Sequence, residues 1–320
     1  MKLFRLSTTA VALTLCLIGS AQTLTPIPYG NFNSWVVREI KESPIIGGKT
    51  KTVYAIGPND TIKGGIPYKN ASSSPWATSN IMAKVMGITK CSNAVFPDTR
   101  SNNDRCVKLT TILEGVKAIG IINIKVLVSG SIFLGEMLEP ISSTKSPYSK
   151  MEMGIPFDRR PTHLVFDYKV SVPDDNRMMY CSGFSPRKQL DTSDNAEVYI
   201  ILQRRWEDSD GNLHALRVGT GRERFNHTTP DWVNAHKLPV LYGDITQHPD
   251  YKPFMGLISG EKAYYARNSR GKMVPVQEEG WDDANATPTH MLIMASSGCG
   301  TAYEGTVGMT LWLDNIALQY

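Results

Sequence analysis

The chain has 320 residues, of which 41% are hydrophobic and 20% are charged. This is an ordinary globular composition, and it excludes global disorder. The 34 Lys and Arg residues nearly balance the 30 Asp and Glu residues, for a net charge of +4. That balance argues against a protein that binds nucleic acid through its phosphates. The 26 Gly and 19 Pro residues exclude a long coiled coil.

The amino terminus has the pattern of a secretory signal peptide. Lys2 and Arg5 precede an apolar run over residues 9–18, and small residues lead up to Ala21. We predict a signal peptide over residues 1–21 and a single domain over residues 22–320. A membrane anchor is the less favoured alternative, because the run is too short to span a bilayer stably. We therefore expect an exported protein, whether periplasmic, secreted or at the cell surface, with no transmembrane segment in the mature chain.

Apolar and polar side chains alternate along much of the mature chain. The clearest case is residues 163–172, where Leu164, Phe166 and Tyr168 share one face and Asp167 lies on the other. This period of two is typical of a strand in an antiparallel sheet with one buried face. Further strands are predicted over residues 34–40, 51–56, 107–113, 122–128, 197–204, 214–218, 237–242, 289–295 and 309–318. With only a short helix predicted over residues 80–86, the pattern indicates an all-β fold, an antiparallel β-sandwich or jelly roll.

The last predicted strand contains an irregularity. Leu311 and Leu313 share one face, but the next apolar residues are Ile316 and Leu318, so the alternation shifts at Asp314 and Asn315. One extra residue here would form a β-bulge, which changes the direction of side chains.

Four cysteines remain after the predicted cleavage: Cys91, Cys106, Cys181 and Cys299. An even number in an exported chain permits two disulfides. The first pair flanks a polar loop, so we consider bridges Cys91–Cys106 and Cys181–Cys299. The alternative is four buried free thiols, since spacing alone does not decide pairing.

Several segments, in order along the chain, resemble the putative carbohydrate metabolism domain family of secreted bacterial proteins. They are residues 30–35 (GNFNSW), 75–80 (PWATSN), 154–161 (GIPFDRRP), 166–169 (FDYK), 288–290 (PTH), 296–297 (SS) and 313–318 (LDNIAL). The resemblance covers nearly all of the mature chain. It implies a jelly roll similar to galactose-binding-like carbohydrate-binding modules, with an oligo- or polysaccharide as partner.

Related sugar-binding jelly rolls often have Phe-Glu near the first strand, where the acid helps to hold a structural calcium. Here Phe32 is followed by the neutral Asn33, and Asp314 is the candidate ligand from the other end of the chain. The alternative, which we favour, is that Asn33 and Asp314 make only backbone hydrogen bonds. We therefore expect no cofactor beyond this candidate calcium.

Saccharide binding requires aromatic faces and polar side chains that converge on hydroxyl groups. We predict that Trp76 and Tyr303 present aromatic surface and that Asn80 and Arg159 donate hydrogen bonds. Three of the four have a structural alternative: packing for Trp76, a helix cap for Asn80, and an ion pair with Asp158 or Asp167 for Arg159.

These patterns favour a non-catalytic glycan-binding protein. A hydrolase or lyase is the alternative, but no spacing singles out the two facing carboxylates that a glycosidase needs, so no catalytic residue is assigned. A structural or adhesive surface protein is the second alternative.

Overall fold

The computed structural model describes residues 23–85, 87–118, 122–143, 145–183 and 185–320. Within these ranges the chain forms 26 strands and four short 3-10 helices, with no α-helix. The all-β prediction is therefore confirmed. The signal peptide predicted over residues 1–21 lies outside the described residues. In the described ranges no helix is long and apolar enough to cross a membrane.

The strands are numbered in chain order. They are β1 Leu24–Pro26, β2 Trp35–Lys41, β3 Thr50–Ile56, β4 Asp60–Lys63, β5 Trp76–Thr78, β6 Ile81–Val85, β7 Ile88–Ser92, β8 Val95–Ser101, β9 Asp104–Thr110, β10 Ile112–Ala118, β11 Ile122–Val128, β12 Ser131–Met137, β13 Met151–Met153, β14 Ile155–Pro156, β15 His163–Ser171, β16 Arg177–Tyr180, β17 Lys188–Ser193, β18 Ala196–Glu207, β19 Leu213–Phe225, β20 Val233–Pro239, β21 Leu241–Tyr242, β22 Tyr265–Arg267, β23 Met273–Trp281, β24 His290–Ser296, β25 Glu304–Gly305 and β26 Thr310–Gln319. The 3-10 helices are Pro44–Ile46, Pro147–Lys150, Pro253–Met255 and Gly260–Lys262.

Two large sheets organise the molecule. The first has the order β20-β15-β26-β9-β8, with β1 paired to β26. In the second, seven strands close into a ring in the order β12-β24-β18-β19-β23-β22-β13, and β13 pairs back with β12. The ring is mixed, because β19 pairs with β23 and β13 with β22 in parallel. The expectation of a wholly antiparallel fold is therefore wrong for the ring.

The main core lies between the six-stranded sheet and one face of the ring. Leu164 and Phe166 of β15 belong to the same buried cluster as Val198 and Ile200 of β18. The intervening Tyr199 of β18 belongs to a second cluster on the opposite face. Residues 196–203 of β18 are therefore buried on both faces, which explains the unbroken apolar run from Val198 to Leu202.

Most predicted strands are present, but the helix predicted over residues 80–86 is wrong. Strand β6 begins directly after Asn80 and pairs with β7 in an antiparallel hairpin. The Asn80 side chain bonds to backbone groups of neighbouring segments, accepting from Ala94 N at 2.8 Å and donating to Tyr54 O at 2.8 Å. These bonds anchor an extended chain, so no helix cap is required.

The predicted bulge at Asp314 and Asn315 is confirmed. Val165 and Asp167 of β15 are two residues apart, whereas their partners in β26, Ala317 and Asp314, are three residues apart. Asn315 adopts φ = 53°, a left-handed conformation that Asn enters more readily than most residues. Its side-chain amide donates to Asp167 Oδ2 at 2.9 Å.

Candidate functional site

The candidate site is a cavity of about 730 Å³ on the face of the ring opposite the main core. We call it the central cavity. Its floor is built from β18, β19 and β24, and its walls include the hairpins β6–β7 and β10–β11 and the segments around Tyr148, Phe254 and Tyr303. The volume lies in the range of small-molecule binding sites.

A carboxylate held by two arginines dominates the floor. Glu197 of β18 lies opposite Arg224 of β19 in the strand register. Its Oε1 accepts a hydrogen bond from Arg222 Nη2 at 2.7 Å, and its Oε2 accepts one from Arg224 Nε at 2.6 Å. Arg222 and Arg224 are two residues apart, so both project from the same face of β19.

Aromatic rings lie beside these guanidinium groups. Arg222 is 4.9 Å from the centroid of the Tyr199 ring, and Arg224 is 4.5 Å from that of Phe254. The Tyr199 hydroxyl donates to Met294 Sδ at 3.0 Å. Burial raises the pKa of Tyr199 well above its ordinary value, so the phenol is a neutral donor at physiological pH.

Arg222 is a mostly buried cation on the floor. Burial lowers the pKa of Arg222, but the nearby Glu197 carboxylate outweighs that effect and the pKa is raised overall. Its side chain is 11% exposed. The group is therefore a permanent cation, and its buried Nε–H has no acceptor among the described residues.

A second ion-pair cluster lies in the wall. Glu114 Oε1 is 2.8 Å from Lys90 Nζ and 3.2 Å from Lys51 Nζ, and Lys90 also contacts Glu42 at 3.2 Å. Burial lowers the pKa of Lys90, but hydrogen bonds to Glu114 and Glu42 raise it overall. Both carboxylates that line the cavity, Glu114 and Glu197, are therefore engaged by cations.

Of the four predicted ligand-binding residues, only Tyr303 lines the central cavity. Trp76 is fully buried, and its Nε1 donates to Pro28 O at 2.9 Å. This position fits the packing alternative and leaves no free ring face for a ligand. Asn80 is 3% exposed, and its amide is used by the backbone bonds described above.

Arg159 lies away from the cavity and is exposed. Its guanidinium is 4.8 Å from the centroid of the Tyr320 ring. The alternative ion pair with Asp167 is not formed, because Arg100 Nη1 takes that carboxylate at 2.6 Å.

Asn33 and Asp314, the candidate calcium ligands, have other partners. Asn33 Oδ1 accepts from Arg105 N at 2.8 Å. Asp314 is fully buried, and its Oδ2 is 2.7 Å from Arg100 Nη1. The favoured alternative of backbone bonds alone is therefore wrong for both residues. Asn33 Nδ2 also donates to Asp104 Oδ1 at 3.4 Å, and the counter-charge of Asp314 is a guanidinium. Within the ranges that the structure describes, no group of three or more His, Cys, Asp or Glu residues could hold a metal ion.

The predicted disulfides are absent, and all four cysteines are free thiols. Cys91 packs with Ile40, Val53 and Met82, whereas Cys106 lies on β9 of the six-stranded sheet. Burial raises the pKa of Cys91 to about 11 and that of Cys106 to about 12. The Cys91–Cys106 bridge does not form because the two thiols are buried in different parts of the fold.

Cys181 and Cys299 likewise have separate surroundings. Cys181 packs against Leu127 and Met179, and its Sγ lies 3.1 Å from Lys125 O. Cys299 lies 3.6 Å from Asn195 Nδ2. All four cysteines are therefore free thiols, as in the alternative, but three of them are buried and Cys299 is half-buried.

Comparison with known proteins supports the resemblance found in the sequence. A family model described as "Putative carbohydrate metabolism domain" matches residues 50–319. The chain belongs to this family. The search of curated proteins gave no match.

Two solved structures are similar to this member of the putative carbohydrate metabolism domain family. One is described as a putative glycoside hydrolase from Bacteroides thetaiotaomicron, with 19% identity, 71% of this chain and 57% of that chain covered, and a TM-score of 0.41. The other is described as a putative glycoside hydrolase from Bacteroides vulgatus. Its sequence identity is 14%, the match covers 92% of this chain and 94% of that chain, and the TM-score is 0.41. The chain thus spans little more than half the length of the first.

Sequence reasoning missed the residues that form the floor. Arg222 and Arg224 alternate with Glu223 within a strand longer than the predicted 214–218, so the spacing held a usable signal. Phe254 and Tyr148 lie in short 3-10 helices whose position depends on the whole fold, and the local sequence contains no signal for them.

Proposed function

We propose that this is an exported glycan-binding protein that holds a saccharide in the central cavity. The observation that carries the proposal is the cavity of about 730 Å³, which is lined by the aromatic rings of Phe254 and Tyr303 and by the guanidinium groups of Arg222 and Arg224. The Phe254 ring centroid lies 4.5 Å from the Arg224 guanidinium. Aromatic rings match the apolar faces of a pyranose, and guanidinium groups donate to hydroxyl or carboxylate oxygens. Membership in the family supports a role in carbohydrate metabolism.

Hydrolysis of the glycan is the less well supported alternative. A glycosidase needs one carboxyl group that donates a proton and a second that acts as base or nucleophile. Both oxygens of Glu197 already accept hydrogen bonds from guanidinium groups, and Glu114 faces two ammonium groups. These contacts favour binding over acid–base chemistry.

The proposal extends to topology and location. A galactose-binding-like jelly roll would use the six-stranded sheet as one of its two layers. Export would follow from cleavage after Ala21, and the intact mass of protein from a native host would reveal a chain that begins at Gln22.

Binding can be tested on the chain from Gln22 to Tyr320. A glycan array identifies candidate saccharides, and calorimetry then measures affinity for the wild type and for Phe254→Ala. The variant should lose about 1–3 kcal/mol of binding free energy, because a stacking ring is removed.

Phe157→Ala is the matched control. Phe157 is also half-buried and also carries an arginine over its ring, but it does not line the cavity. It should bind saccharide like the wild type. No binding by folded protein, or equal loss in both variants, would contradict the proposed site.

A further inference from the structure

We infer that the saccharide held in the central cavity is an amphiphilic anion, carrying both an apolar chain and an anionic group. The inference rests on the proposed function and specifies its ligand. Three features of the cavity support it: its apolar walls, its excess of positive charge, and the partly exposed guanidinium of Arg222 on its floor.

The walls are mostly apolar. The two hairpins contribute Ile81, Val85, Ile88, Ile124 and Val126. A saccharide's hydroxyl groups lose water on entering such a site, and aliphatic walls return no hydrogen bonds. A hydrocarbon chain, by contrast, gains free energy by leaving water for these walls.

Methionines line the same cavity. Met137, Met151, Met153 and Met294 all contribute to it. The unbranched thioether side chain adapts its shape to an irregular apolar partner. Flexible walls of this kind suit an alkyl or acyl chain better than the fixed pattern of hydroxyls on a sugar ring.

The cavity has an excess of positive charge. Five cationic side chains line it, namely Lys90, Lys150, Arg222, Arg224 and Lys262, against the two carboxylates Glu114 and Glu197. The three positive charges in excess act across apolar walls, where the potential is less screened than in bulk water. The cavity therefore attracts an anion.

Arg222 locates the anionic group. It lies on the cavity floor with 11% of its side chain exposed, and its guanidinium donates to Glu197 Oε1 through Nη2 alone. A carboxylate or phosphate oxygen that reaches this guanidinium would form a charge-assisted hydrogen bond. The polar end of the ligand therefore meets the floor, and its chain lies along the hairpin walls.

Four probes separate the two requirements. They are glucose, glucuronic acid, octyl glucoside and octyl glucuronide, each used below its critical micelle concentration and measured by calorimetry on the chain from Gln22. The octyl chain should tighten binding by about a hundredfold or more, and the carboxylate by about tenfold. Octyl glucuronide should therefore bind most tightly.

The outcomes are distinct. If the octyl chain gives no gain while the unmodified sugars bind, the inference is wrong and the proposed function stands. If the octyl glycosides bind equally with and without the carboxylate, the anionic requirement is wrong. Octanoate, which has the chain and the carboxylate but no sugar, is measured as a control. If it binds as tightly as octyl glucuronide, or if no probe and no glycan binds, the proposed function fails.

Two variants assign the contacts. Arg222→Gln should reduce the preference for octyl glucuronide over octyl glucoside, whereas Arg204→Gln, on the exposed arginine that pairs with Asp282, should not.

Because Arg222→Gln leaves Glu197 with one fewer partner, Met151→Trp provides an independent test. Met151→Trp fills the cavity and should weaken both octyl glycosides, whereas Met273→Trp, at a half-buried methionine outside the cavity, should not. Unchanged binding in Met151→Trp would overturn the placement of the chain.

Discussion

Trp76 and Trp206 differ in how much of their side chains is exposed to solvent. Trp76 lies on β5, which pairs with β12, and its side chain is fully buried. The centroid of its indole lies 5.9 Å from the centroid of the Phe32 side chain. Trp206 is 38% exposed and stacks on His214. Because truncation of a buried ring leaves a cavity, Trp76→Ala should lose about 3–5 kcal/mol of unfolding free energy in urea.

Trp206→Ala is the matched control and should lose less than about 1 kcal/mol. Equal losses in the two variants would contradict the burial of Trp76.

His290 gives the fold a dependence on acid. Burial, with a smaller effect from the Arg205 charge, lowers the pKa of His290 from 6.5 to about 4. The unfolded chain therefore binds a proton in a pH range where the folded chain does not. The stability that neutral His290 confers is complete above pH 6.5 and is lost as pH falls through 4.

His290→Gln should accordingly lose less unfolding free energy than the wild type when the pH is lowered from 6.5 to 4. His227→Gln, at an exposed histidine, should retain the acid dependence of the wild type. Denaturant titrations across this range measure both, and parallel curves for His290→Gln and the wild type would contradict the prediction.

At the scale of elements, the bulge in β26 brings polar groups together. Asn315 adopts a left-handed backbone conformation that a β-branched residue reaches only with strain. Asn315→Val should therefore lose about 1–3 kcal/mol of stability. Asn315→Gly relieves the backbone but removes the hydrogen bond to Asp167, so it should lose less, and chemical denaturation would rank the two.

The surroundings of Asp314 explain why this bulge is more than a local irregularity. Burial raises the pKa of Asp314 to about 6, although the hydrogen bond from Arg100 lowers it. Asp167 shares the same guanidinium, and bonds from the Ala235 amide, Asn315 and Arg100 outweigh burial to lower its pKa. The alternation of apolar residues predicts the bulge. It does not predict the ion pair between Arg100 and Asp314, because the two residues are 214 positions apart in the sequence and meet only in the folded chain.

At the scale of the whole molecule, the sequence predicts the class of fold better than the site. Strand alternation depends on neighbours two residues apart, so β15 and β11 are predicted nearly to their ends. The closure of the ring depends on the pairing of β12 with β24, whose residues are about 160 positions apart. The central cavity exists only after that closure, which is why the sequence patterns single out neither Glu197 nor Phe254 as a site residue.

The walls of the central cavity are held by fewer strand pairings than its floor. Hairpins β6–β7 and β10–β11 each form a separate two-stranded sheet, whereas β18 pairs with strands on both sides. Two strands alone are marginally stable in water, so the hairpins should open locally at a lower free energy than the ring unfolds. In native-state hydrogen exchange, amides of β6 and β7 should exchange before those of β18, and a bound ligand should slow them. The residence time of the ligand would then be set by the local stability of the hairpins, while the ring stays closed.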